Sequence, residues 1–255
     1  MPTVYLVARP QFDDKRFLAF LQQENERWQR NEGATPPEEI VEAAGRICYM
    51  SFGSRQAPHS NTEYIAHLIR MGHESVLEHV SWSFLITGVS RAFTHQLVRH
   101  RVGLAFSQLS QQYHDESEAT SVMPSEVARS AAAAAAWRRA VDTARAAYRE
   151  ICEALSPGSP VGSEEERREL RRAWRSAARS VLPNATETKI FMTANARALR
   201  HLLAVRGQIM GDEEMRQVMA QVLHLVREEA PALFADFQVE KLPDGSPIII
   251  RRPVP

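Results

Sequence analysis

The chain has 255 residues, 31 Lys+Arg against 31 Asp+Glu, and a formal net charge of zero. Hydrophobic residues make up 44% and charged residues 24%, ordinary globular values that exclude disorder, collagen, coiled coil and a disulfide scaffold. Neutrality removes the electrostatic footprint of a general nucleic-acid binder and leaves room only for a local basic site.

In chain order, Thr3 to Ala8 is short, apolar and β-branched and reads as a strand, and Asp13 to Arg30 reads as a helix. Pro36 and Pro37 punctuate. Glu38 to Cys48 is helical, with Ile40, Val41, Ala44 and Ile47 on one face. Ser51 to Ser60 is a loop, and Thr62 to Met71 a helix ended by Gly72. Val80, Trp82, Phe84 and Ile86 alternate with Ser81, Ser83, Leu85 and Thr87, which predicts a strand with one apolar face. Ser90 to Arg101 reads as a helix with Phe93 and Leu97 toward the core, and Gly103 to Tyr113 as a polar loop. Ser125 to Leu155 is Ala- and Arg-rich and predicts one long helix. Ser156 to Pro160 is a connector. Ser163 and Glu166 form a capping box for a helix to about Ser180, stopped by Pro183. Thr188 to Thr193 reads as a strand, Asn195 as the N-cap of a helix to Arg206, Asp212 to Glu229 as a long helix, and Ile248 to Arg251 as a terminal strand. The class is α+β and helix-rich, with no internal repeat and no clear domain boundary.

At ~150 residues per domain this length means one large domain or two small ones, big enough to fold without disulfides. Two cysteines, Cys48 and Cys152, cannot build a disulfide framework or a four-cysteine zinc site, and a reducing cytoplasm is the simplest reading. Cys152 lies in an apolar helical run and reads as buried and inert. Met1 to Phe12 lacks the charged-then-apolar pattern of a signal peptide, and the uncharged Val80 to Ser90 is too short to span a bilayer. Among the basic residues only Lys15, Lys189 and Lys241 are lysine; the rest are arginine. Coding bias accounts for most of them, but arginine also contacts phosphate and carboxylate bidentately, so position must separate the two accounts.

The densest chemistry is Gln96-Leu97-Val98-Arg99-His100-Arg101, where a helix places Gln96, Arg99 and His100 on one face. Two arginines around a histidine suit a pyrophosphate, or a flavin ring whose N1 side gains negative charge on reduction. On spacing alone, a solvated helix end with cations near its C-terminus is the stronger account. Ser107 to Tyr113 is rich in uncharged hydrogen-bonding groups that can read a pyrimidine edge or a phosphate, or simply form a surface loop. Asn195, Arg197, His201 and Arg206 fall in one segment, with Arg197 and His201 four apart, and Arg179 sits at a helix end before Val181-Leu182-Pro183. His73 and His79 are six apart and precede a strand, so they do not match a zincin, and no metal is expected. Neither a Gly-rich dinucleotide fingerprint nor a P-loop is present.

Together these blocks resemble the flavin-dependent thymidylate synthases, the ThyX family. The resemblance rests on His-Glu-Ser-Val-Leu-Glu-His at 73–79, Gln96 leading into Arg99-His100-Arg101, Ser-Gln-Leu-Ser at 107–110, Arg179 before Val-Leu-Pro, and Asn195-x-Arg197 through Arg206. It implies a ThyX-like fold, helix-rich with a central mostly antiparallel sheet, as a single domain over 1–255. It also implies reductive methylation of dUMP at C5 to dTMP. FAD would be the tightly bound cofactor, NADPH the reductant and 5,10-methylenetetrahydrofolate the carbon donor, with no cysteine nucleophile. By the same resemblance Arg206 and Ser110 are the catalytic pair. Arg206 favours ionisation of the pyrimidine and Ser110 positions the substrate, since no base is evident at nucleophile spacing. Gln96, Arg99, Gln108, Ser110, Gln111, Gln112, Arg179 and Arg206 would hold dUMP. His73, Ser75, Glu78, Arg99, His100, Arg101, Asn195, Arg197 and His201 would hold FAD. The family implies a homotetramer with active sites at subunit interfaces, in the cytoplasm, with no nucleic-acid or membrane partner.

Two departures stand out. Eight residues, Val102 to Leu109, separate Arg-His-Arg from Ser110 where the family usually has seven, and Gly103 can absorb the extra residue. Gln112 precedes Tyr113 where the family often has arginine, and a neutral amide cannot make a bidentate phosphate contact. The family position matching Cys48 is often serine. Both departures fall on the substrate side and motivate an alternative, a divergent paralogue methylating another uracil nucleotide such as UMP. A non-catalytic nucleotide- or RNA-binding protein is the remaining reading.

Overall fold

The computed structural model describes residues 1–156 and 162–253. In chain order these are β1 (Thr3–Ala8), α1 (Asp14–Gln23), α2 (Pro36–Ile47), α3 (Asn61–Arg70), β2 (Ser81–Ser90), α4 (Arg91–Leu97), β3 (Leu104–Gln108), α5 (Ser125–Ala128), α6 (Ala131–Leu155), α7 (Glu164–Ala178), β4 (Glu187–Asn195), α8 (Ala196–Arg206), α9 (Glu213–Glu229), β5 (Phe237–Lys241) and β6 (Pro247–Arg251). Short 3₁₀ turns occur at Glu74–His79, Arg179–Val181 and Pro231–Phe234. The main sheet runs in the order β1-β2-β4-β3, with β5 and β6 a separate antiparallel pair. Backbone bonds join Ala196 to Val80 and Arg91 to Thr186, then Asn195 to Gly103 and Leu109 to Lys189. In both sets one number rises as the other falls, so β4 runs antiparallel to β2 and to β3. The class is helix-rich α+β with a mostly antiparallel sheet, as expected.

The chain divides into two compact units. One comprises Met1–Thr3, Ile86–Arg99 and Phe106–Phe191; the other Val4–Leu85, His100–Ala105 and Met192–Pro255. The first contains α4 to α7. Phe93 and Leu97 are buried as expected, and Tyr148 of α6 is fully buried with its hydroxyl accepting from Glu116 N–H at 3.2 Å. The second buries Trp82 and Phe84 of β2, with Phe234 at 5.9 Å from Trp82. Leu199, Leu202 and Leu203 of α8 and Met215, Val218 and Val222 of α9 belong to the same buried set.

Several elements differ from the sequence reading. The first helix stops at Gln23 rather than Arg30, because Asn25 takes a left-handed φ of 55° and Glu26 N–H returns to Leu21 C=O. The long Ala-rich helix is two helices, since Ser130 is extended and its hydroxyl caps α6 at Ala133 N–H. Gly103 to Tyr113 is not wholly a loop; it contains β3. The strand Phe237–Lys241 was missed, although Asp244-Gly245, with Gly245 at φ +83°, is the turn signal for its hairpin. Cys152 is half-buried, not buried, and burial pushes its thiol up despite a lowering hydrogen bond from Tyr148. The connector lies outside the described residues apart from Ser156. Its capping box holds, with Ser163 Oγ accepting from Glu166 N–H at 3.3 Å and Glu166 Oε2 accepting from Ser163 N–H at 2.7 Å. Asn195 caps its helix as predicted, and Asp212, read as the first residue of the last long helix, is instead its N-cap.

The largest correction concerns α2. Ile47 is 37% exposed, while Glu42 and Arg46 are 0% exposed. Arg46 Nε donates to Glu42 Oε1 at 2.7 Å, its Nη1 to Ser51 C=O at 3.3 Å and its Nη2 to Pro58 C=O at 2.7 Å. Glu42 also accepts from Trp28 Nε1 at 3.2 Å and Asn61 Nδ2 at 2.7 Å. Glu42→Ala would strand the Arg46 charge and two further donors. It should lower unfolding stability by about 3–5 kcal/mol, read by urea denaturation, with Glu42→Gln losing less. A loss below ~1 kcal/mol, the median for a surface pair, would mean the network is not what holds this segment.

Candidate functional site

The second unit gathers most of the residues assigned to the cofactor. A cleft of ≈ 630 Å³ is lined by His73, Glu74, Ser75 and Arg197 together with Cys48, Tyr49, Ser51 and Tyr64. A second cleft of ≈ 460 Å³ is lined by Glu78, Asn195, Arg197, His201 and Val102. The two share Glu74 and Arg197 and therefore adjoin. Glu74 to His79 is a single 3₁₀ segment, so Ser75 and Glu78 come from one short turn. Arg197 Nη1 donates to Glu78 Oε1 at 2.6 Å, and its Nε lies 3.4 Å from Glu74 Oε2. The hydrogen bond to Glu78 is the main reason the guanidinium is held above its ordinary value.

Asn195 fixes the start of α8. Its Oδ1 accepts from Ala198 N–H at 2.8 Å, and its own N–H donates to Gly103 C=O at 3.0 Å. Gly103 is left-handed at φ +72°, and Leu104 N–H reaches back to Arg101 C=O at 3.3 Å. The segment between Arg-His-Arg and Ser110 thus makes its tight turn at Gly103, the residue expected to absorb the extra length. A Cβ there would come within 2.6 Å of Asn195 Nδ2 and 2.9 Å of Ala198 Cβ.

The shared helical face predicted for Gln96, Arg99 and His100 does not form. Helix α4 ends at Leu97, Arg99 N–H still turns back to Gln96 C=O at 3.4 Å, and His100 and Arg101 lie beyond it. The Arg99 bond is of the tighter i→i−3 kind that closes a helix end, so the α-helical ladder stops before His100. His100 is instead drawn to α8. Arg206 Nε donates to His100 Nε2 at 2.8 Å, and the His100 and His201 rings lie 5.6 Å apart. Burial first, then the charges of Arg206 and His201, hold the His100 imidazole below its ordinary value. A neutral ring with Nε2 unprotonated is the form that accepts from a guanidinium. Arg206 is half-buried, and its other N–H groups have no hydrogen-bond partner among the described residues.

The residues assigned to the nucleotide, apart from Arg206, belong to the first unit. Gln96 and Arg99 are exposed. Gln108 is already engaged: its Nε2 donates to Thr94 Oγ1 at 3.0 Å and Thr188 Oγ1 at 3.3 Å, tying β3 to α4 and β4. Ser110 opens a turn, its C=O accepting from His114 N–H at 2.9 Å and its hydroxyl from Gln112 N–H at 3.3 Å. Gln111 is 6% exposed and its Nε2 has no hydrogen-bond partner among the described residues. Gln112 Nε2 donates to Ser176 Oγ at 3.3 Å. Arg179 caps α7 and begins a 3₁₀ turn. Arg101 is exposed, like Arg99. Among the described residues no group of three His, Cys, Asp or Glu side chains could hold a metal, and no helix is long and apolar enough to cross a membrane.

The sequence reading missed the wall formed by Tyr49, Ser51, Tyr64 and His67, and carried Cys48 only weakly. The available signal was Glu42 and Arg46 at i, i+4 inside a helix, a charged pair that can brace the following loop.

A family model described as thymidylate synthase complementing protein matches residues 32–232. The chain is 45% identical over 214 residues to the flavin-dependent thymidylate synthase of Mycobacterium sp. (strain JLS), covering 82% of this chain and 83% of that one. It is 40% identical over 220 residues to the protein of the same name from Corynebacterium aurimucosum, covering 86% and 87%. Among solved structures, a UMP/dUMP methylase, PolB from Streptomyces cacaoi bound with 5-Br UMP, superposes with a TM-score of 0.62 at 21% identity over 92% of each chain, a likeness of fold.

Two outcomes follow from this geometry. In Arg206→Leu the His100 imidazole should titrate at higher pH than in the parent protein, since a lowering charge is gone while burial remains. Histidine NMR titration reads this, and an unchanged midpoint would remove the contact. Gly103→Ala combines a left-handed backbone with a clash against the Asn195 cap and should cost roughly 1–3 kcal/mol in thermal unfolding; a neutral result would show that the cap is not set by this turn.

Proposed function

The chain belongs to the thymidylate synthase complementing protein family, and from that premise we propose that residues 1–255 form one flavin-dependent thymidylate synthase domain. It methylates dUMP at C5 to give dTMP, with FAD as bound cofactor, 5,10-methylenetetrahydrofolate as carbon donor and NADPH as reductant. The observation that carries this reading is the pair of adjoining clefts in the second unit. His73, Ser75, Glu78, Asn195, Arg197 and His201 come from distant parts of the chain to line them. Their volumes lie in the range of sites for cofactor-sized ligands, roughly 300–1,000 Å³. The lining mixes a guanidinium, amide, hydroxyl and imidazole groups with the aromatic Tyr49 and Tyr64, which suits a dinucleotide with a planar ring. Arg99, His100 and Arg101 complete the cofactor set.

Bound there, the flavin would supply the hydride it takes from NADPH. The chain's own residues bind and polarise. Uracil C5 is a weak nucleophile, and a fixed positive charge near the pyrimidine favours N3 ionisation and enolate character. Arg206 carries that charge, pinned through Nε by a neutral His100 while its other N–H groups stay available. Gln96, Arg99, Gln108, Ser110, Gln111, Gln112 and Arg179 hold the nucleotide. Ser110 acts as a positioning hydroxyl, because its hydrogen bond is to Gln112 N–H and not to a base. Exposed Arg99, Arg101 and Val102 are consistent with a homotetramer whose active sites lie at subunit interfaces, in the cytoplasm. Methylation of UMP is the second reading, favoured by Gln112, a neutral residue already bonded to Ser176.

A product assay decides between them. Flavin-loaded protein with NADPH and methylenetetrahydrofolate receives dUMP or UMP, and the products are separated by mass. dTMP from dUMP alone is the expected result; methylated UMP, or no product despite a reducible flavin, reassigns the substrate. Arg206→Ala should lower turnover roughly 10²–10³-fold with flavin content and its reduction by NADPH persisting. Undiminished turnover removes Arg206 from the mechanism.

A further inference from the structure

The C-terminal hairpin lies outside the residues that the family model matches, yet it contributes a cation to the second cleft. Strands β5 and β6 pair with Phe237 opposite Arg251. Three bonds tie the hairpin down. Ile249 N–H donates to Gly207 C=O at 2.9 Å, just past α8, Arg252 N–H donates to Asp236 C=O at 2.7 Å, and Arg216 Nε donates to Pro247 C=O at 2.9 Å. Arg251 is thereby fixed in place, and it lines the cleft with Asn195, Arg197 and His201.

The Arg251 side chain is held at one atom. Its Nε donates to Asp236 Oδ2 at 2.8 Å, and its Cζ lies 5.7 Å from the Phe237 ring centroid. Asp236 is 2% exposed and already committed, since Arg200 Nη1 and Nη2 donate to its two oxygens at 2.7 and 2.8 Å. Burial raises the Asp236 carboxyl, but the bonds and charges of Arg200 and then Arg251 outweigh it and hold the group below its ordinary value. One ionised carboxylate therefore serves two guanidiniums, and one positive charge is left over. Arg200 is 4% exposed with its fork closed on Asp236 and Leu233 C=O, so Arg251 presents the surplus. The Arg251 side chain is 44% exposed, and among the described residues its Nη1 and Nη2 have no hydrogen-bond partner. The opposite imbalance sits at Glu74 and Glu78, two carboxylates around the single guanidinium of Arg197. Among the described residues neither forms an ion pair with Arg251.

The cleft thus carries one basic and one acidic cluster. A ligand that satisfies both brings an anion to the open fork of Arg251 and hydroxyl or amine donors to the carboxylates. A planar fork with two free Nη groups suits phosphate oxygens. A dinucleotide has both kinds of group in one molecule. We propose that Arg251 is a further cofactor-binding residue, its Nη groups holding the pyrophosphate of the flavin dinucleotide. This assignment rests on the flavin reading above. The bond from Nε to Asp236 fixes the plane of the fork before the cofactor arrives, so little ordering is left to binding. A phosphate of NADPH has the same chemistry, and the test separates the two.

The test is titration of the full chain, stripped of flavin, with FAD and with riboflavin, which lacks phosphate. Flavin fluorescence reads binding in the parent and in Arg251→Gln, with melting temperature as the check on folding. Loss of a charge-assisted bond to phosphate should raise the FAD Kd roughly 10- to 100-fold. Riboflavin affinity, and the KM for NADPH at saturating FAD, should stay unchanged. If Arg251→Gln is unstable, Arg251→Lys carries the same comparison, since an ammonium keeps the charge but loses the planar fork and should bind FAD several-fold less well. Equal FAD affinity in the variant, or equal losses for FAD and riboflavin, overturns the assignment and leaves Arg251 a brace of Asp236. An unchanged FAD Kd with a raised KM for NADPH gives the phosphate to the reductant and overturns it equally. Parent protein that binds no FAD overturns the flavin reading and this assignment together.

Discussion

A fully buried guanidinium braces the wall of the candidate cofactor cleft. Arg46 has four engagements: Glu42, the Ser51 and Pro58 carbonyls, and the Tyr64 ring, whose centroid lies 4.1 Å from its Cζ. A charge without water is tolerable only if each donor finds an acceptor. That demand sets where the chain from Cys48 to Pro58 can run, because two of the acceptors are its own carbonyls. Tyr64 must also lie flat against Arg46, which brings its hydroxyl onto α2. A Cβ at Gly45 would sit 2.7 Å from Tyr64 Oη, so glycine is required there by close approach. Cys48, Tyr49 and Ser51 line the cleft as a consequence of where this loop is tied.

The opposite wall depends on a different device. Strand β4 ends at Asn195, whose side chain caps α8 while its N–H takes the Gly103 carbonyl. The cap starts α8 at a defined residue and so sets the phase of the whole helix. Arg197, His201 and Arg206 then follow at fixed rotation, two of them lining clefts and the third meeting His100. The Gly103 turn is bonded to the same cap, which holds the chain that precedes it, and with it His100, against α8.

Features set by local chemistry were legible in the sequence: the caps at Ser163 and Asn195, the alternation along β2, and the core positions Phe93 and Leu97. The residues assigned to the cofactor stood out as types in an ordered pattern, although only the fold shows that Ser75 and Arg197 line one cleft. Misreadings arose where a tertiary demand overrode a local one. Apolar periodicity placed Ile47 inside α2, but the face that the fold buries is the opposite one, which carries the Glu42–Arg46 ion pair. Helical spacing carried α4 to Arg101, but the chain closes the helix with an i→i−3 bond at Arg99 and turns at Gly103. A polar segment read as a loop became β3 because Gln108 could satisfy its amide on Thr94 and Thr188.

The arginine richness of the chain resolves by partner and burial. The exposed face of α1 uses arginine in a pair, Arg16 with Asp13, where lysine would serve as well. Arg46, Arg200 and Arg216 are internal fasteners whose several donors reach separate chain segments, a task that suits a planar fork and not a point charge. Exposure alone does not mark function, since Arg138 and Arg139 on α6 are also exposed. Arg179 and Arg206 are half-buried without a carboxylate partner among the described residues, a loss of hydration that a bound anion would offset.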